Sequence, residues 1–271
     1  MNAAAQLTMP RFFREANAVF TIVHREIILM LKSPARIVMT LMWPVMMLGM
    51  FGSQLSQNMG VFMDFDFSTF MLIGMLVNGL FFVTMMGVNS LVEDKENDFT
   101  QEILVSPVSR FSIILGKIIG SASASYFQFF ATIGIGLIIG ASISARGFFV
   151  LLSLSPLMCL TGGSLAVFCI SVIKKPSTAN VVIMIVAMGQ MFLSGALIPV
   201  NHSTGFMGVL SRALPMTYCV DFARGIFYQS QNIGTNATLH APAIDLLIIT
   251  VFTVVFFLTG TILFVRSETD R

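Results

Sequence analysis

Six unbroken apolar stretches decide what this chain can fold into. They run over 37–55, 68–92, 116–140, 147–173, 178–200 and 241–265. Each is close to or beyond the ~20 residues with which a helix crosses a bilayer core. Their hydrophobicity is continuous rather than alternating, which disfavours a membrane β-barrel. The composition agrees. Charged residues make up 10% of the 271 positions, against about 25% in an ordinary soluble domain. Mean hydropathy is +0.88. A water-facing globule of this size needs more charge than that. The net charge of +2 gives no field that would hold a polyanion, so no nucleic-acid partner is expected. The expectation is an all-α membrane protein, one transmembrane domain over residues 1–271 with six transmembrane helices.

The N-terminal residues lack the basic segment and apolar core of a signal peptide. Residues 11–32 instead alternate with helical period. Phe12, Ala16, Val19, Phe20, Val23, Ile27 and Met30 fall on one face, and Arg14, Asn17, Thr21 and Arg25 on the other. This pattern predicts an amphipathic interfacial helix lying at the membrane surface. Ser33-Pro34 ends it.

Lys and Arg set the orientation. With both termini inside, Arg11, Arg14, Arg25, Lys32, Arg36, Lys95, Arg110, Lys117, Lys174, Lys175, Arg266 and Arg271 lie on the inner side. Only Arg146, Arg212 and Arg224 lie outside. The expected placement is a multi-pass protein of the inner (plasma) membrane with cytoplasmic termini. Lys117 and Asp245, close to span ends, are expected to snorkel toward water.

Two connections stand out. The inner loop 93–107 holds Glu93, Asp94, Glu96, Asp98 and Glu102, and ends in apolar Ile103, Leu104 and Val105 before Pro107. A short amphipathic helix with an apolar end has the form of a docking element. The outer segment 201–240 is apolar for a loop. It predicts a re-entrant helical segment between the fifth and sixth spans, which is tolerated only when packed against protein.

Several chemistries are missing. There is no phosphate-binding GxxxxGK(S/T) loop: Phe111 stands where the first Gly ahead of Gly116-Lys117 would be, and Ile118 follows. No strained-serine elbow or HExxH motif appears. The span interiors carry almost no charge, unlike proton or sodium pumps. Cys159 and Cys169 lie about 15 Å apart along one helix, too far for a disulfide. With Cys219 they read as packing residues. The three His are scattered, so no metal site is expected. The pairs Gly116/Gly120 and Gly136/Gly140 have the spacing of close helix contacts.

Four blocks of the chain resemble one family. The run ILVSPVSRFSIILGK, residues 103–117, follows the acidic loop. KSPARIVMTLMWPVMMLGMFG spans 32–52, LSGALIPV spans 193–200, and ALPMTYCVDFARG spans 213–225. In this order they resemble the membrane subunits of ABC exporters of the type-two permease family, in the drug-resistance branch named after daunorubicin export. Two positions depart from that pattern: Asp98 replaces a Gly, and Leu214 replaces an Asn before Pro215.

The resemblance implies a permease rather than an enzyme, with a cytoplasmic coupling helix between the second and third spans. It implies a homodimer working with two copies of a separate ABC ATPase, within membrane lipid. ATP and Mg belong to that partner, so no cofactor is expected on this chain. The coupling residues expected in the loop are Glu96, Phe99, Glu102, Ile103 and Leu104. Asn78, Met85 and Asn89 lie close to one face of the second span, and Gln190 and Ser194 share a face of the fifth. Amides in a bilayer avoid lipid, so these residues meet either a neighbouring helix or a cavity. With Phe82 they are the candidate substrate path. One Trp and three Tyr beside 26 Phe and 20 Met favour amphipathic drug-like or lipid cargo, as in multidrug export and antibiotic resistance. The alternatives are export of a polysaccharide or glycolipid and, further off, a secondary transporter.

Overall fold

The structure, a computed structural model, describes residues 11–52, 66–96, 109–197, 205–231 and 238–269. Within them the apolar runs are helical, and no strand occurs among the described residues. A helix satisfies its own backbone groups, which hydrocarbon requires. Helix α1 covers Arg11–Leu31 and α2 covers Pro34–Met46, continued by a π-helical turn over Met47–Gly52. Then follow α3 (Phe67–Val88), α4 (Ser90–Glu96), α5 (Arg110–Ile139), α6 (Ala145–Ile170) and α7 (Pro176–Leu193). The last three are α8 (Phe206–Arg212), α9 (Pro215–Ser230) and α10 (Pro242–Thr269).

Among the described residues, five stretches are long and apolar enough to cross a membrane: Phe67–Asp94, α5, α6, α7 and α10. The sixth is shorter, Ile37–Met50. Pro44 sits inside it and lacks the N–H that would close the preceding turn. The π-helical turn begins three residues later. Residues 53–55 of the expected first span lie outside the described residues. Helix α7 ends at Leu193 rather than 200, where Gly195 turns the chain with φ +81°. At 30 residues, α5 is about 45 Å long, well beyond a hydrocarbon core of ~30 Å.

Helix α3 is the centre of the bundle, buried on nearly every side, while α10 is covered on one narrow face. Phe70, Leu72, Ile73, Met75 and Met85 of α3 are fully buried. A helix apolar all round belongs in such a position. Hydroxyls tie the spans together: Ser155 to Tyr126 at 3.0 Å, and Thr161 to Thr253 at 2.8 Å.

Helix α1 packs beside α5 in step. The Glu15 carboxylate accepts from the Ser109 N–H at 2.9 and 3.0 Å. Further along, Gly116 faces Val19 and Ile22, and Gly120 faces Val23 and Glu26. A Cβ on Gly120 would lie 2.7 Å from the Glu26 Cβ, so the approach needs glycine there. Phe12, Phe13 and Phe20 stay exposed. The second glycine pair divides: Gly136 packs on Leu72, whereas Gly140 faces open space where a Cβ would sit and ends α5 with φ +92°.

Among the described residues of the segment after α7, α8 and α9 are helical. Helix α9 is buried along most of its length, from Pro215 to Arg224 and again at Phe227 and Tyr228.

Candidate functional site

Four helices supply most of the lining of a cavity of about 500 Å³, and Glu93 of α4 and Asn180 of α7 complete it. Helix α3 contributes Phe82, Val83, Met86 and Gly87, with Asn89 at its end. Helix α5 presents Gly120, Ser121, Ala124 and Gln128, a single face by spacing. Met39, Thr40 and Trp43 come from α2, Glu26 and Met30 from α1, and Asn180 reaches in from α7. The walls are mainly apolar. Three buried polar atoms on them have no hydrogen-bond partner: Asn89 Oδ1, Ser121 Oγ and Gln128 Nε2. Buried polar groups are normally satisfied. The residues lining the cavity therefore hold an acceptor, a hydroxyl and an amide donor with unmet hydrogen-bonding capacity.

Of the candidate path residues, Phe82 and Asn89 line the cavity, while Asn78, Met85, Gln190 and Ser194 do not. The structure instead brings Asn78 and Gln190 together on Met216 of α9. Asn78 Nδ2 donates to the Met216 sulfur at 3.8 Å, and Gln190 Oε1 accepts from the Met216 N–H at 3.2 Å. Met85 is fully buried in the core, and Ser194 caps the C-terminus of α7 with its hydroxyl unpartnered. Sequence reasoning missed Ser121 and Gln128. Their helical spacing on α5 was readable, but nothing marked that face as the one turned toward α2.

A buried ion cluster adjoins the cavity. Lys117 is 2% exposed, so the expectation that it snorkels is overturned. Its ammonium donates to Glu26 at 2.6 Å and to the Ser90 hydroxyl at 3.1 Å, and pairs with Asp94. Arg25 reaches Asp94 at 2.9 Å and Glu26 at 3.2 Å. The hydrogen bonds to Asp94 raise the Arg25 pKa above its ordinary value, against the opposing effect of partial burial. Two cations thus face two carboxylates across α1, α4 and α5. Helix α4 leads from this cluster into the expected coupling loop. Phe99, Glu102, Ile103 and Leu104, with the side chain of Glu96, lie outside the described residues.

A second polar group occupies the far end of α3. From Phe70 to Val88 that helix rises about 27 Å. Arg224 of α9 is buried and donates to the carbonyls of Gly195 at 2.9 Å, and of Ala196 and Phe70 at 3.0 Å. Its guanidinium carbon lies 3.3 Å from the Phe70 ring centroid. Gly74 makes room for this clamp, since a Cβ there would meet Ala196 O and Arg224 Nη2. On the same helix, Asp221 accepts from the N–H groups of Leu239 and His240. Asp245 is 0% exposed, so it does not snorkel either. The fold gathers Asp221, His240 and Asp245 into one cluster.

These features define a polytopic helical membrane protein with a partly polar cavity among its helices. The chain matches the family model of the ABC-2 type transporter over residues 17–228, more than three quarters of its length, and belongs to that family. It is accordingly a membrane permease component of an ABC transporter. No curated protein matches it.

Proposed function

We propose that this chain is the permease subunit of an ATP-driven exporter of amphipathic drug-like or lipid cargo. It works as a homodimer in the plasma membrane, both termini cytoplasmic, with two copies of an ABC ATPase. The cavity supports the cargo reading most. Its volume lies within the ~300–1,000 Å³ of sites for drug-sized molecules. Met, Phe and Trp walls adapt to varied apolar shapes, and the three unpartnered polar atoms suit a molecule with a few polar groups. Family membership supports the ATPase partner, and the distribution of Lys and Arg supports the orientation.

The experiment is reconstitution with the ATPase in vesicles, followed by a screen of amphipathic compounds for stimulated hydrolysis. Phe82→Ala and Gln128→Leu should change which compounds stimulate, with basal hydrolysis and assembly intact. An unchanged profile in both removes the cavity from the path. Replacing Ile103 and Leu104 together by Asp should uncouple hydrolysis from cargo or dissociate the ATPase, since burying each such side chain contributes roughly 1.5–3 kcal/mol. For orientation, a cysteine at Arg212→Cys should react with an impermeant thiol reagent from outside intact cells. One at Lys175→Cys should not.

A further inference from the structure

We propose that Asp221, His240 and Asp245 form a binding site for a divalent transition-metal ion, of the zinc type, where α9 meets α10. One ligand atom from each lies within 4.8 Å of the others. His240 Nδ1 is 3.4 Å from Asp245 Oδ1 and 3.6 Å from Asp221 Oδ2. Zinc binds nitrogen and carboxylate oxygen at about 2.0–2.2 Å, usually as a tetrahedron. The edge of such a tetrahedron is about 1.63 times the bond, or roughly 3.3–3.6 Å. The two measured separations have that length. They are long for hydrogen bonds, and none forms.

The orphaned atoms make the stronger point. Both oxygens of Asp245 and Nδ1 of His240 are buried and find no hydrogen-bond donor as ionised carboxylate and imidazole, Asp245 is 0% exposed, and its carboxylate lies against that of Asp221. Among the described residues, neither carboxylate forms an ion pair with lysine or arginine. Arg224, one turn along α9 from Asp221, is directed to carbonyls instead. A single cation would complete all three ligands at once.

The surroundings are those of a supported site. Backbone N–H groups of Leu239 and His240 fix the Asp221 carboxylate at 2.8–2.9 Å. Tyr218 stacks on the imidazole, centroids 5.7 Å apart, while its hydroxyl donates to Arg212 O at 2.7 Å. Such outer contacts orient metal ligands. The His240 side chain is 31% exposed, so the cluster lies close to the surface of the chain on the imidazole side. An imidazole with two carboxylates favours zinc, manganese or iron over calcium and magnesium.

The test uses the full-length chain in detergent, without a histidine tag and stripped by chelator. Zinc should bind at one ion per chain and raise the thermal unfolding midpoint. Cobalt(II) should give the visible absorption of a tetrahedral site. Asp245→Asn and His240→Gln should each lose the bound zinc and the midpoint shift while eluting as the wild type does. His240→Gln changes a partly exposed residue, which keeps the test decisive if Asp245→Asn fails to fold. A wild-type chain that binds no zinc, or variants that bind it equally, overturns the proposal. So does an Asp245→Asn chain more stable than a wild type indifferent to zinc, which would assign the acid pair a shared proton.

Discussion

The two ends of α3 both bury charge, and they stabilise it by opposite means. At the Lys117 end, side chain meets side chain: two cations and two carboxylates join α1, α4 and α5. At the Arg224 end, the charged groups are held by the backbone. The guanidinium takes three carbonyls, and Asp221 takes the N–H groups of Leu239 and His240. The first arrangement connects helices through partners that can each be removed. The second holds α9 to its neighbours through backbone groups, which side-chain truncation leaves in place. It also leaves Asp245 and His240 unsatisfied.

Substitution separates the two cases. Lys117→Met should be the most damaging change, leaving Glu26 and Asp94 buried without their ammonium. Breaking a buried pair costs about 3–5 kcal/mol. Unfolding free energies in mixed micelles would measure the loss, and adding Glu26→Gln should recover part of it. Full additivity of the two would mean that they do not act as a pair. Arg224→Lys keeps the charge but loses the planar fork, so at least one carbonyl is left without its donor, at about 2 kcal/mol. The readout is faster proteolysis around residues 195–231. A variant as resistant as the wild type would show that the backbone clamp contributes little.

Smaller effects mark the limits of the comparison. The Arg25 side chain is 36% exposed, so Arg25→Ala should cost at most ~1 kcal/mol. That loss should shrink further as salt rises, in the same unfolding assay. Gly134 of α5 faces open space, with nothing within 4 Å of where a methyl would sit. Gly134→Ala should therefore be neutral, or stabilising by up to ~1 kcal/mol, by thermal midpoint.

Continuous apolar runs made the spanning helices legible, because only helices satisfy the backbone over such lengths. Their ends were less so. Gly195 breaks α7 early, and α5 starts at Arg110, ahead of its apolar run, where Glu15 of α1 holds the Ser109 N–H. Gly116 and Gly120 were readable as a contact, though not its partner. The polar groupings were invisible for a different reason. Lys117 and Glu26 are 91 residues apart, and a general tendency to snorkel argued against burial. His240 lies 19 residues along the chain from Asp221, so counting scattered histidines gave no hint. Ser121 and Gln128 are ordinary in a helix, and the cavity alone gives them meaning.

The pairing of Glu26 with Lys117 also sets a clock for biosynthesis. Glu26 is made 91 residues before its partner. At ~5–20 residues per second, that separation lasts about 5–18 s. Over this interval the amphipathic α1 has neither the glycine face of α5 nor the ammonium that neutralises its acid. It has to wait without them while α3 and then α5 are made. Nascent chains arrested before residue 117 should leave α1 open to protease, and longer ones should close it off.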